Sequence, residues 1–208
     1  PGPGREIEIA VMKDAVGSDT AVCFSPPPAD LVRGKTKEYR LGDDLMAALN
    51  GLSTFLEAHG LKETAILARP GRNAAPQRLF SGGPAFLTAA YWPEWDLSLK
   101  VRPGGFTQVN PEVNLLLVKA ILEETARLAP GPKTALDLYA GSGNISIPLT
   151  RSGFQVTAVE QAAEGLQAAR ENAKGLNGLT CMGGQGEKVT LELARRGQAF
   201  RVTVLDPP

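Results

Sequence analysis

The 208-residue sequence predicts an α/β protein, with a Rossmann-like, doubly wound parallel sheet in its second half and a smaller α+β unit ahead of it. Three observations carry this. From Asn110 onward, short apolar runs alternate with helical stretches, the pattern of strands joined by helical crossovers. Before that point, strand and turn signals surround one clear helix. A glycine turn, Gly141-Ser142-Gly143, stands where an apolar strand gives way to a helix. The expected division is residues 1–103 and 104–208. With 43% hydrophobic and 21% charged residues, the chain has the make-up of a globular protein.

The elements of the first unit follow from local pattern. IEIAVMKDAVGSDTAVCF alternates β-formers about Gly17-Ser18, a hairpin with strands near residues 7–12 and 20–24. Asp43 or Asp44 caps a helix that carries Leu45, Leu49, Leu52 and Leu56 on one face and ends at Gly60. TAILARP is the next strand, and FLTAAYW and DLSLKV add further β structure. Proline and glycine clusters at residues 1–4, 25–28, 69–73 and 102–105 punctuate these elements.

In the second unit, Asn110 is a good N-cap and Pro111 suits the first helical position. Val113, Leu116, Leu117, Ala120, Ile121 and Leu128 then make an apolar helical face that stops at Ala129-Pro130. Strand TALDLYAG, a helix out of the glycine turn, strand QVTAVE, a helix over about residues 162–176, strand GLTCMG, a helix near residues 188–196 and strand RVTVLD complete the series. The sequence reaches Asp206-Pro207-Pro208 directly after this fourth strand. A doubly wound sheet stopped there lacks its far half, so a fragment of a longer protein is expected.

Composition excludes several function classes. Lys+Arg and Asp+Glu both number 22, so no general polyanion-coating surface is indicated. Contact with nucleic acid would fall to local patches such as Arg33-Lys35-Lys37-Arg40 or Arg69-Arg72-Arg78, each also readable as a solvated face. No apolar run reaches the ~18–20 residues of a spanning helix and no signal peptide is visible, so a cytoplasmic location is expected. Cys23 and Cys181 lie too far apart for a metal knuckle and read as two buried thiols, and no metal site is expected. His59, in AHGLK, reads as a partner for a helix C-terminus.

Chemistry concentrates at the glycine turn. Without side chains at Gly141 and Gly143 a ligand can approach the backbone, and the helix that follows offers N–H groups. A dinucleotide fingerprint wants a third glycine where Ser146 stands, which disfavours a nicotinamide cofactor. Asp137, inside the strand and four positions before Gly141, fits instead a site for S-adenosylmethionine, where a carboxylate orients the ligand's amino-acid end. Glu160 closes the next strand 17 residues after Gly143. That is close to the ~20 at which an acid meets ribose hydroxyls. In the terminal LDPP, prolines extend the chain after Asp206 and remove donors, directing oxygens at a planar base. In GGFTQVNPEVN, Phe106 can stack on a base and Gln108 can read a base edge or hold a cofactor.

Taken in order, FTQVNPEVN, LDLYAGSGNISIPLT, VTAVEQ, ARENAKGLNG and VLDPP resemble the RNA 5-methyluridine methyltransferases, which methylate uracil C5 in transfer or ribosomal RNA. The resemblance covers residues 104–208 and implies a class I, S-adenosylmethionine-dependent methyltransferase domain truncated after its fourth strand. Residues 1–103 are similar in layout to the family's central, RNA-contacting domain. The resemblance implies that Gln108, Asp137, Tyr139, Gly141, Gly143, Asn144, Glu160 and Asp206 hold the cofactor, while Asp206 and Phe106 face the target base. It implies a covalent mechanism in which a cysteine adds to uracil C6, C5 attacks the methyl group, and a base removes the C5 proton. That cysteine and base follow the DPP segment in the family. Neither Cys23 nor Cys181 matches the nucleophile's position, so no turnover is expected of this chain. Some family members carry an iron–sulfur cluster, which these residues leave undecided. A monomer with an rRNA or tRNA substrate is expected. Alternatives are a methyltransferase for another nucleobase or an amine, since DPP resembles NPP-type segments, and an inactive RNA-binding module; a nicotinamide dehydrogenase ranks last.

Overall fold

The computed structural model describes residues 8–13, 20–25, 31–33, 39–41, 43–60, 65–68, 77–78, 85–103, 105–108, 110–128 and 130–207. The chain divides into two compact units, Pro1–Leu87 with Pro103–Gly105, and Thr88–Arg102 with Phe106–Pro208.

In the first unit, β1 (Glu8–Lys13) and β2 (Thr20–Ser25) pair antiparallel, Lys13 opposite Thr20 and Glu8 opposite Ser25. This is the expected hairpin; its Gly17-Ser18 turn lies outside the described residues. β3 (Leu31–Arg33) and β4 (Tyr39–Leu41) form a separate antiparallel pair. β5 (Ala65–Ala68) runs parallel to β2, and β6 (Gln77–Arg78) antiparallel to β5, giving the order β1-β2-β5-β6. Of the two basic patches, Lys35, Lys37, Arg69 and Arg72 lie outside the described residues. α1 (Asp43–Ala58) begins on Asp43 and Asp44, whose charges suit its positive end, and buries Leu49 and Ser53. Beyond it, the His59 ring donates from Nδ1 to the Phe55 carbonyl at 2.8 Å and lies 4.0 Å from the Phe55 ring, the helix-end role expected for it.

The second unit opens with β7 (Leu87–Trp92) and β8 (Leu97–Val101), paired as a two-stranded sheet. The sequence division at 103/104 and the clustering into units differ over residues 88–102 and 104–105. Packing explains this: Ala90, Trp92 and Leu99 share a buried cluster with Val118 and Ile147 of the second unit. At ~1.5–3 kcal/mol for each large apolar side chain buried, such a cluster outweighs nearness in sequence. Next comes α2 (Pro111–Ala126), where Asn110 Oδ1 accepts from Glu112 N and Val113 N, both at 3.0 Å, so the expected cap is present.

Four parallel strands follow: β9 (Thr134–Leu138), β10 (Gln155–Glu160), β11 (Leu179–Gly183) and β12 (Val202–Leu205). Their helices are α3 (Ser146–Arg151), α4 (Ala163–Asn172) and α5 (Gly186–Arg195). Both faces of the sheet are covered. Ala135 packs with Ile145, Leu149, Phe154 and Val156 on the α3 side, while Leu136 and Leu138 pack with Val189 and Leu193 of α5. The order β11-β10-β9-β12 places the reversal of winding between β9 and β12. Ligands of such sheets bind outside the strands' carboxyl ends at that point. Register brings those ends level: Leu138 pairs with Val159 and with Leu205, and Glu160 with Gly183.

One expectation is corrected. Of the apolar face expected for α2, Ile121 packs against the Ala135 cluster, while Val113 is 57%, Leu116 66% and Leu117 44% exposed. The buried positions are Asn114 and Val118, with Leu115 and Leu122 against the same core. α2 is apolar around most of its circumference, so hydrophobic spacing could not choose its inward face.

Candidate functional site

β9 ends at Leu138, and the chain turns through residues 139–145 into α3. Gly141 and Gly143 both have left-handed backbone, φ +55° and +94°. A Cβ on Gly143 would also stand 3.1 Å from Ile147 Cγ1. Glycine is thus required there on two counts. α3 has six residues and no side-chain cap, so the turn itself, more than the helix, presents the backbone.

The Glu160 carboxylate spans this turn. Its Oε2 accepts from Gly141 N at 2.7 Å and its Oε1 from Ala162 N at 2.6 Å. It therefore stitches the end of β10 to the glycine turn and to the start of α4. Gly165 in α4 makes room, because a Cβ there would come within 3.1 Å of Glu160 Cγ. A carboxylate has about four lone-pair sites, so Glu160 keeps capacity for a ligand's hydroxyls.

Asp137 is 1% exposed. Ser146 Oγ donates to its Oδ2 at 2.5 Å, so the residue that replaces a third glycine partners the buried acid. Burial pushes the Asp137 carboxyl up to about 6; the hydrogen bonds from Ser146 oppose this, and the charges of Asp206 and Glu160 add to it. Asp137 thus feels both other carboxylates at this edge, with Asp206 exposed just beyond β12.

Tyr139 takes a left-handed backbone, φ +64°, rare for a residue with a side chain. Its ring packs with the α5-side cluster, and its hydroxyl donates to Glu187 Oε1 at 3.1 Å, which raises the phenol's pKa. Asn144 and Asn114 exchange two hydrogen bonds of 2.8 Å between their amides, clamping α2 to the turn. Phe106, 81% exposed, and the half-buried Gln108 lie on the segment that enters α2. The structure thus gathers Asp137, Gly141, Gly143, Asn144 and Glu160 about one turn.

Three residues at this turn were not singled out as contributors to the site. Asn114 closes FTQVNPEVN and Asn172 lies in ARENAKGLNG, both polar positions in helices; Ser146 heads the otherwise apolar SIPL. Their only signal was a polar residue where packing wants an apolar one. Cys181 is half-buried on β11 with its thiol pushed up by burial, and Cys23's side chain lies outside the described residues. Among the described residues no His, Cys, Asp and Glu cluster suits a metal ion, and no helix is long and apolar enough to cross a membrane.

The family described as "Conserved hypothetical protein 95" matches residues 118–208. A 23S rRNA (uracil(1939)-C(5))-methyltransferase RlmD from Alkalilimnicola ehrlichii is 36% identical over 165 residues, 78% of this chain and 36% of that protein. By sequence, the chain is a relative of the RNA uracil-C5 methyltransferases. The same named enzyme from a Shewanella species is 45% identical over 87 residues, 40% of this chain and 19% of that protein. The chain spans about a third or less of the length of the curated relatives it matches. Among solved structures, the Pyrococcus abyssi tRNA (uracil-54, C5)-methyltransferase in complex with S-adenosyl-L-homocysteine aligns with a TM-score of 0.64 at 17% identity, covering 99% of this chain and 44% of that one. A SAM-dependent methyltransferase from Agrobacterium tumefaciens aligns at 0.53 and 15% identity, over all of this chain and 62% of that one. The fold of the second unit is accordingly that of the Rossmann-like class I methyltransferases.

Proposed function

We propose that this chain supplies the S-adenosylmethionine-binding part of a cytoplasmic, monomeric enzyme that forms 5-methyluridine in rRNA or tRNA. The observation that carries the reading is the Glu160 carboxylate bonded to Gly141 N, which joins the end of β10 to the turn after β9 at the carboxyl ends of the strands. An acid at the end of the second strand, beside a glycine turn, suits a ribose under an adenine. The 36% identity over 165 residues to an RlmD relative supports the choice of uracil C5 over other targets.

The donor set fits the group. S-adenosylmethionine, when bound, supplies a methyl group on an electron-poor sulfonium. Glu160 would accept from its ribose hydroxyls, and the turn at residues 141–144 would lie along its amino-acid end. Asp137 is buried beneath the turn, so it would act through Ser146 and the start of α3 and lend negative charge to the cationic ligand. Asp206 and Phe106, both exposed, would face the target base, and Gln108 would meet the ligand from the segment ahead of α2. Residues 1–103 would contact RNA.

Calorimetric titration of S-adenosylmethionine and S-adenosylhomocysteine into this chain, with NAD as control, tests the cofactor half. Micromolar binding of the first two alone is expected. NAD binding, or no binding by a longer chain carrying the remaining strands, would overturn it. In the full-length protein, Asp206→Asn should impair methylation of uridine-containing RNA more than cofactor affinity; unchanged methylation would remove Asp206 from the mechanism.

A further inference from the structure

The last residue of α4, Asn172, has a side chain engaged far from its own helix. Its Oδ1 accepts from Lys100 N at 2.9 Å, and its Nδ2 donates to Lys100 O at 2.7 Å and to Ser142 O at 2.8 Å. The amide thus pairs with the backbone of β8 as a neighbouring strand would, and its second N–H reaches into the glycine turn. With two acceptors on the nitrogen and a donor on the oxygen, its orientation is set by its partners.

The contact with Ser142 bears on the turn's geometry. The Ser142 carbonyl and the Gly143 N–H belong to one planar peptide. Gly143 N–H donates to Ala140 O at 2.8 Å, so that peptide is held at both ends. Two residues earlier, the N–H of Gly141 is held by Glu160. The path of the chain through two left-handed glycines is therefore fixed by two side chains, Glu160 at the end of β10 and Asn172 at the end of α4. Mere docking of α4 on β8 does not require the Ser142 contact. Arg102, just after β8, donates from Nη2 to Gln167 Oε1 at 2.9 Å, and Lys100 of β8 pairs with Glu171 at 3.7 Å, and both links tie α4 to this stretch without touching the turn.

We propose that Asn172 is a positioning residue for the ligand turn, its amide fixing the Ser142–Gly143 peptide against the backbone of β8 in the conformation that receives S-adenosylmethionine. This rests on the reading above of that turn as the cofactor site.

The test compares Asn172→Asp, Asn172→Ala and Gln167→Ala in this chain. The aspartate keeps an acceptor for Lys100 N–H but loses both donated bonds; Gln167→Ala weakens the α4–β8 link and leaves the turn alone. Amide hydrogen exchange without ligand should be roughly tenfold faster at residues 141–145 in both Asn172 variants and unchanged there in Gln167→Ala, the effect of losing about one net hydrogen bond. Well below all melting temperatures, the dissociation constant for S-adenosylmethionine should rise roughly tenfold in the Asn172 variants only. Unchanged exchange at the turn overturns the proposal, as does an equal loss of affinity in Gln167→Ala, which would make Asn172 a packing residue. If this chain binds no S-adenosylmethionine, the affinity comparison is made in the longer chain, whose failure to bind overturns the cofactor reading, and the ligand-free exchange still decides whether Asn172 holds the turn.

Discussion

Glu160 and Asp137 are two carboxylates at one sheet edge, the first half-buried and the second fully buried, and that contrast assigns them different tests. Glu160→Ala removes a charge-assisted acceptor from Gly141 N and the proposed ribose contact. At ~1.5–3 kcal/mol for a hydrogen bond to a charged group, S-adenosylmethionine should bind at least about tenfold more weakly. Calorimetry reads this directly, and an unchanged constant removes Glu160 from the site. Asp137 has a folded-state pKa raised from 3.8 to about 6. Between those values the folded chain holds a proton that the unfolded chain has released, so stability falls as pH rises through that window and stays lowered above it. The loss is on the order of 3 kcal/mol at neutral pH. Asp137→Asn escapes it, and Ser146 Oγ can still donate to the amide oxygen. Thermal melts should show the variant above the wild type at pH 8 and converging with it near pH 4; a variant less stable at both would refute the cause given. Both acids were legible because strand-end carboxylates beside a glycine turn have a known use. Asn172 and Asn114 were not, since their partners lie 72 and 30 residues away and consist of backbone or another amide.

At the level of elements, α2 shows what periodicity conveys and what it leaves open. Its start was readable from Asn110-Pro111, because a cap is local chemistry. Its inward face was not, because Val113 and the run Leu115 to Val118 point around most of the helix and leave no clear polar side to exclude. The contacts that decide it come from Trp92, Leu99 and Ile147, on elements before and after it in the chain. Val118→Ala should therefore cost about 2 kcal/mol in chemical denaturation, whereas Leu116→Ala should stay within about 0.5 kcal/mol. The reverse ranking would restore the face expected from spacing. The strands β9 to β12 were legible to within three residues at their ends, since short apolar runs set between helical stretches admit few other readings.

For the whole molecule, the division into units is the part that sequence conveyed least, because the β7–β8 pair is textured like the first unit and packs in the second. A chain beginning at residue 85 should unfold cooperatively in denaturant, while one beginning at residue 106 should lose the cover over Val118 and Ile147 and resist proteolysis poorly. Equal stability of the two would place the pair outside the second unit's core. The same placement has a spectroscopic consequence. The chain contains two tryptophans, Trp92 and Trp95, their rings 6.5 Å apart and edge-to-face, and both belong to the second unit. Emission excited at the indole band is therefore blind to the first unit, whereas far-ultraviolet dichroism sums over both. Superimposable transitions by the two probes would mean that the units melt as one; a dichroism change that precedes the emission change would measure, without any label, how far the first unit unfolds on its own.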